Sequence, residues 1–129
     1  SKIINNIDEG IEFDVLDNEF GSPTNAKDLA EVILEIVPHL NNDKTDIFNF
    51  SNLGFCSRYE FANEINSFFN GKCKINAIQK LRSNVNRPKF SALSPNKIIN
   101  KFNLKIYNWK KSLYVHLRNN KKKFTNEVY

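Results

Sequence analysis

The segment Ser57-Arg58-Tyr59-Glu60 constrains the fold more tightly than any other part of the chain. It has the S-x-x-E spacing of a capping box, in which the serine hydroxyl and the glutamate carboxylate each satisfy a free amide of a helix's first turn. A helix is therefore expected to open here. Phe61, Ala62, Ile65, Phe68 and Phe69 follow at helical spacing and predict one buried face. Asn70-Gly71 supplies the stop, because glycine readily takes the left-handed conformation that ends a helix. A helix this short is marginal alone, so its apolar stripe must be buried against elements on either side.

Those elements can be read outward from it. Lys2 to Ile7 resemble the closing turns of a helix, with Gly10 as its stop, and a chain opening in the last turns of an element suggests a fragment or an engineered domain. Ile11 to Leu16 alternate like a strand. Gly21-Ser22-Pro23 turns the chain, and Thr24 or Asn25 can cap a helix whose first turn holds Asp28, where a carboxylate is favoured. The expected inner stripe of that helix is Ala26, Leu29, Ala30, Ile33, Ile36, Val37 and Leu40, and Pro38 is expected to stop it. Asn41 to Thr45 read as a polar loop, Ile47 to Phe50 and Lys74 to Ile78 as short strands, and Gln79 to Arg87 as irregular. Ser94-Pro95 has the cap-plus-proline signature of a short helix that buries Ile98, Ile99 and Phe102. A last helix starts near Asn108 and buries Trp109, Leu113 and Leu117. The order predicts an α/β, or mixed α+β, architecture in one domain over residues 1–120, with a basic tail over residues 121–129.

Length and composition narrow the class. A chain of 129 residues that is 40% hydrophobic can bury a core without staples. The net charge of +5 owes much to Lys121-Lys122-Lys123, which read as solvated, and the heavy use of Asn, Lys and Ile points to an AT-rich genome as another source. A basic surface also suits an anionic ligand. The aromatic residues fall on helix inner faces and are not interleaved with Lys and Arg, so nucleic-acid binding is not expected. Two cysteines, Cys56 and Cys73, are too few for a disulfide framework and read as reduced thiols of a cytoplasmic protein. No apolar run reaches membrane-spanning length, and no signal peptide is visible.

No catalytic constellation stands out, and the expectation is that no catalytic residue lies in this chain. There is no glycine-rich phosphate loop and no metal-ligand spacing. Tyr107 and Lys111 are four apart but flank a helix start. His39 and His116 lie apart on amphipathic helices. Two loops carry more promise. Asp17 to Thr24 leads from a strand to a helix N-terminus, a favoured place for ligand contact. In Asn86-Arg87-Pro88-Lys89-Phe90-Ser91, an arginine held before a proline can grip a phosphate bidentately.

Taken in order, four stretches resemble the dTDP-4-dehydrorhamnose reductases, members of the extended short-chain dehydrogenase/reductases. Gly21-Ser22-Pro23-Thr24-Asn25-Ala26-Lys27-Asp28-Leu29-Ala30 is similar to their G-S-P-T-x-A-x-D-L-A, with Asp17 at the acidic position ahead of it. Phe48 to Ala62 resemble Y-H-x-S-x-x-G-x-x-S-W-Y-E-F-A. Arg87-Pro88 with Ser91 and Leu93 resembles R-P-x-N-S-x-L. The Trp109-x-x-x-Leu113 ending is also similar.

This resemblance implies a sugar-nucleotide-binding part separated from the Rossmann-like N-terminal domain, absent from this chain, that would bind NADPH or NADH and hold the catalytic Tyr-x-x-x-Lys. The whole protein would reduce dTDP-4-dehydro-L-rhamnose to dTDP-L-rhamnose for cell-surface polysaccharide, and these residues alone would be inactive. The implied partner is a dTDP-linked ketosugar, with room for a homodimer. Arg87 is the first expected substrate contact, followed by Ser91, Thr24, Ser57 and Asp17, although Ser57 and Thr24 also suit helix caps. The family's glutamine is displaced here by Asn18-Glu19, its tryptophan by Arg58 and its asparagine by Phe90. Leu81-Arg82-Ser83-Asn84 replaces its prolines. Another nucleotide-linked ketosugar, a non-catalytic regulatory module of the same family, and a decayed or truncated copy therefore stay open.

Overall fold

The computed structural model describes residues 2–40, 44–79 and 87–125. The fold is mixed α/β, with five α-helices and four short strands among the described residues. The capping-box helix, α3 (Arg58–Phe68), stands at its centre. The Ser57 hydroxyl accepts from the Glu60 amide at 3.0 Å, and a Glu60 carboxylate oxygen accepts from the Ser57 amide at 2.7 Å. At the other end Asn70 and Gly71 both take positive φ. Asn66, a polar residue of this helix, is buried: its side chain donates to the Cys73 carbonyl at 2.7 Å and accepts from the Cys73 amide at 3.2 Å. Those bonds fix the turn that feeds the next strand.

Two apolar clusters form around this frame. In the first, α1 (Lys2–Asp8) lays Ile4 and Ile7 against Ile65 of α3, Cys73, and Leu117 of α5 (Trp109–Thr125). The α1 stop is as expected: Gly10 sits at φ +67° and the Ile11 amide closes on the Asn6 carbonyl at 2.8 Å. The second cluster joins Val32 of α2 (Ala26–Ile36) to Ile98 of α4 (Asn96–Phe102) and to Leu104, with Phe48, Phe50 and Phe102 packed around them. A turn of 3-10 helix, Val37–His39, follows α2 and contains Pro38.

Strands β1 (Phe13–Leu16) and β4 (Ile75–Ile78) pair in parallel, with Phe13 opposite Ile75 and Leu16 opposite Ile78. Strands β2 (Phe20–Gly21) and β3 (Cys56–Ser57) pair antiparallel, and Phe20 also bridges Phe90 in parallel. The middle of this second small sheet is therefore β2, with β3 along one edge and the 87–91 segment along the other. Neither β2 nor β3 was legible from alternation, because two residues cannot show a period.

Two expectations need correction. Ile47 to Phe50 form no ladder. Phe48 and Phe50 are instead held by the second apolar cluster, while Ile47 is exposed. The inner stripe of α2 is rotated from the one expected. Val32 is buried, whereas Ala26, Ala30, Ile33, Val37 and Leu40 are exposed. Asp28 sets that phase: its carboxylate accepts from Asn52 and Ser112 in the interior, and Val32 and Ile36 follow at i+4 and i+8 on the same face. Of the two residues that could cap α2, Asn25 does so, its side chain accepting from the Lys27 amide at 2.9 Å. The last helix runs on past residue 120 to Thr125. The expectations for residues 41–43, 80–86 and 126–129, the Leu81-Arg82-Ser83-Asn84 stretch among them, lie outside the described residues.

Candidate functional site

A buried polar seam runs between the two apolar clusters and forms one wall of the site. Asn52 and Ser112 are both almost wholly buried. The Asn52 side chain accepts from the Asn25 amide at 2.8 Å, donates to Asp28 Oδ2 at 2.6 Å and reaches the Tyr107 carbonyl at 3.3 Å. Ser112 Oγ donates to the same Asp28 oxygen at 2.5 Å. One carboxylate thus ties the start of α2 to the 51–52 loop and to α5. No buried side-chain polar atom lacks a partner among the described residues, as a stable interior requires.

Beside this seam opens a cleft of about 1470 Å³. Four of the five residues expected to touch substrate line it, coming from three separate segments: Thr24, Ser57, and Arg87 with Ser91. Their chemical states differ. Arg87 is exposed. Ser91 bonds the Phe20 carbonyl through both its amide, at 2.9 Å, and its hydroxyl, at 3.1 Å, which holds the 87–91 segment against β2. Thr24 is exposed, and its hydroxyl donates to the Ser22 carbonyl at 3.2 Å. Ser57 is fully buried, and its hydroxyl is engaged twice: it accepts from the Glu60 amide and donates to Asp17 Oδ1 at 2.6 Å. Asp17 is not part of the lining. It stands at the end of β1, behind Ser57, its own amide bonded to the Ile78 carbonyl at 3.0 Å.

Several lining residues were not among the expected substrate contacts. Asn25 was legible as a helix cap only, and Asn52 and Ser112 are polar residues at positions that periodicity assigns to surface or loop. Glu19 and Arg58 also line the cleft and form an ion pair, Nε to Oε2, at 3.2 Å. Cys56 is a further wall residue. Burial, reinforced by the Glu60 carboxylate, pushes its thiol up to about 12 against a smaller opposing effect of Lys110, so it faces the cleft as a neutral thiol, not as a nucleophile.

The remaining chemical candidates lie elsewhere. Tyr107 is outside the large cleft, and Lys111 holds its ammonium 3.9 Å from the centre of the Tyr107 ring, a cation–π contact with the ring face. No group of three potential metal-ligating side chains exists among the described residues. Nor is any helix among them long and apolar enough to cross a membrane. Among the described residues no dinucleotide cradle is seen after β1: the strand leads through Asp17-Asn18-Glu19 into β2, without the glycine turn and helix N-terminus that hold a diphosphate.

Comparison with known proteins extends this picture. A family model described as the RmlD substrate binding domain matches residues 1–121. The spore coat polysaccharide biosynthesis protein SpsK of Bacillus subtilis is 30% identical over 109 residues, which is 83% of this chain and 37% of that protein. Two crystal structures superpose well. A dTDP-4-dehydrorhamnose reductase from Clostridium acetobutylicum is 27% identical, with a TM-score of 0.76 over 92% of this chain and 42% of that one. The Bacillus anthracis dTDP-4-dehydrorhamnose reductase in complex with NADP is also 27% identical, with a TM-score of 0.75 over 98% of this chain and 42% of that one. The chain thus spans well under half the length of these relatives.

Proposed function

The chain belongs to the RmlD substrate binding domain family, and on that premise we propose that it holds the nucleotide-linked sugar for an NAD(P)H-dependent reductase of dTDP-4-dehydro-L-rhamnose. The observation that carries this reading is the convergence of Thr24, Ser57 and the 87–91 segment with its Arg87 and Ser91, three stretches distant in sequence, on one cleft. Their chemistry suits division of labour. Arg87 is the exposed guanidinium for a diphosphate. The exposed hydroxyls of Ser91 and Thr24 donate to the Phe20 and Ser22 carbonyls and keep lone pairs that can accept from sugar hydroxyls. Ser57 and Asp17 support from behind: with the serine's proton on Asp17 and its lone pair on Glu60, they fix the wall that Arg58 and Cys56 present. A reduction also needs a hydride donor and an acid beside the ketone. In this reading both come from a dinucleotide-binding domain in a longer protein, and residues 2–125 supply positioning. The activity, substrate and cofactor of that whole protein are part of the proposal.

The Glu19–Arg58 pair in the cleft favours a second reading, in which the ligand is a different nucleotide-linked ketosugar, because a charged wall selects other sugar substituents than an apolar one. Titration of dTDP-L-rhamnose and dTDP into the chain, followed by amide shifts, tests both. Saturable shifts around Thr24, Arg87 and Ser91, lost in Arg87→Ala, are the expected result. Binding of dTDP without added affinity from the rhamnose would favour the second reading. A folded spectrum that stays unmoved to millimolar ligand would sink the idea that these residues hold the nucleotide sugar.

A further inference from the structure

Arg58 stands where local electrostatics argue against it. It is the first residue of α3, and the N-terminal turn of a helix is its positive end, where anions are favoured and cations are not. The sequence has nonetheless placed a guanidinium there, on the wall of the large cleft. Residues that break a local rule without a packing gain concentrate at functional sites. Packing does not account for this one, since its side chain is about half exposed, at 53%.

Among the described residues its ion-pair partner is Glu19, which is far less exposed, at 18%, and lies on the same wall. The contact runs to Nε, the inner nitrogen of the fork. A guanidinium has five donor hydrogens, and one carboxylate reaching Nε engages at most one edge of it. Glu19 therefore fixes the direction of the group without exhausting it.

The topology sets this arginine against the other one. Arg58 follows β3, along one edge of β2, and Arg87 belongs to the segment along the other edge, which Phe20 bridges at Phe90. Both line the same cleft. Its described lining carries Lys2, Lys27, Arg58 and Arg87 against the carboxylates of Asp14 and Glu19 only. A cavity with that balance concentrates an anion that spreads its charge over more than one group.

We propose that Arg58 is a second anion-binding arm of the cleft, aimed by Glu19, that meets the phosphate groups of a nucleotide-linked ligand from the edge of β2 opposite Arg87. This inference rests on the nucleotide-sugar reading above and adds a residue to it. Glu19 acts through Arg58 and is a positioning residue.

The test measures the affinity of the chain for dTDP and for thymidine, which has the base but no phosphate, at several salt concentrations. Arg58→Ala is expected to weaken dTDP about tenfold or more, the scale of one lost charge-assisted hydrogen bond, and to leave thymidine unchanged. It should also flatten the salt dependence of dTDP binding, which a purely structural role would not do. Arg58→Lys should recover part of the loss, because the charge returns without the fork. Glu19→Gln should weaken dTDP by a few-fold. Arg58→Gln, checked for an undisturbed amide spectrum, separates loss of charge from loss of fold. Full dTDP affinity in Arg58→Ala, alongside a loss in Arg87→Ala, would overturn this inference and leave the nucleotide-sugar reading standing. Equal losses for dTDP and thymidine would assign Arg58 a structural role and overturn it too. Failure of the unmodified chain to bind dTDP would overturn both.

Discussion

Replacing Asn52 by alanine should destabilise the fold more than any surface change near the cleft. The side chain is almost completely buried and makes three hydrogen bonds. The Tyr107 carbonyl keeps a second donor, the Leu53 amide at 3.0 Å, so its loss is small. The Asn25 amide is left without its acceptor, an omission that costs about 1–3 kcal/mol for a buried donor. Asp28 loses a charge-assisted bond, worth about 1.5–3 kcal/mol, but keeps Ser112. These terms overlap, and a net loss of about 3 kcal/mol follows, a large share of the roughly 5–15 kcal/mol typical of a domain. Ser112→Ala removes one bond to the same carboxylate and should lose about half as much. The two changes share Asp28, so the double variant should deviate from additivity by more than about 0.5 kcal/mol. Urea unfolding followed by circular dichroism measures all three, with the denaturant slope as a check that the unfolded state is unchanged. A loss below about 1 kcal/mol in Asn52→Ala at constant slope, or strict additivity with Ser112→Ala, would refute the view that this seam holds α2 and α5 together.

Three further outcomes are expected. Gly54→Ala should lose about 2 kcal/mol or more in the same urea assay: Gly54 sits at φ +88°, and an added Cβ would lie 3.0 Å from Asn108 Nδ2 and 3.2 Å from Trp109 Cδ1. Cys56, pushed up to about 12 and buried, should resist iodoacetamide at pH 8 in the folded chain and react as an ordinary thiol in denaturant; rapid native labelling would contradict its placement. The Lys74 ammonium bonded to Glu12 lowers that carboxyl below its ordinary value. The favourable contribution is therefore present above the unfolded value and fades as pH falls through the folded one. Carbon-detected titration should show Glu12 returning toward its ordinary value in Lys74→Gln, with almost no change in overall stability because the pair is solvent-exposed.

What the sequence revealed and what it hid divide along a physical line. Elements specified by neighbouring residues were legible: the capping box at Ser57, the glycine stops at Gly10 and Gly71, and the apolar faces of α3 and α5 carrying Ile65, Trp109 and Leu117. Features set by distant partners were not. The phase of α2 follows from Asp28 reaching Asn52 and Ser112, 24 and 84 residues away, and no window around α2 contains either. Phe48 and Phe50 alternate like a strand, yet they pack in the cluster of Ile98, Leu104 and Phe102, and among the described residues no strand pairs with them. The site shows the same split. Arg87, Ser91 and Thr24 stood out as loop residues in a motif order, whereas the Glu19–Arg58 pair joins two segments whose proximity only the β2–β3 pairing establishes.

The wall of the cleft is best understood by asking which polar groups its own structure has already consumed. Ser57 has spent its hydroxyl hydrogen on Asp17 and accepts from the Glu60 amide, and the Asn25 side chain is engaged as a helix cap. Asn52 and Ser112 are committed to Asp28. These residues determine where the walls stand, because each ties two separate elements together, and a change in any of them moves the wall as well as weakening the fold. A molecule entering the cleft meets a second set: exposed Arg87, Thr24 and Ser91, and the partly exposed fork of Arg58. Variants in the first set should therefore lose stability and binding together, while variants in the second should lose binding at nearly constant stability. Measuring unfolding and ligand affinity on the same panel separates a residue that shapes this cleft from one that touches what it holds.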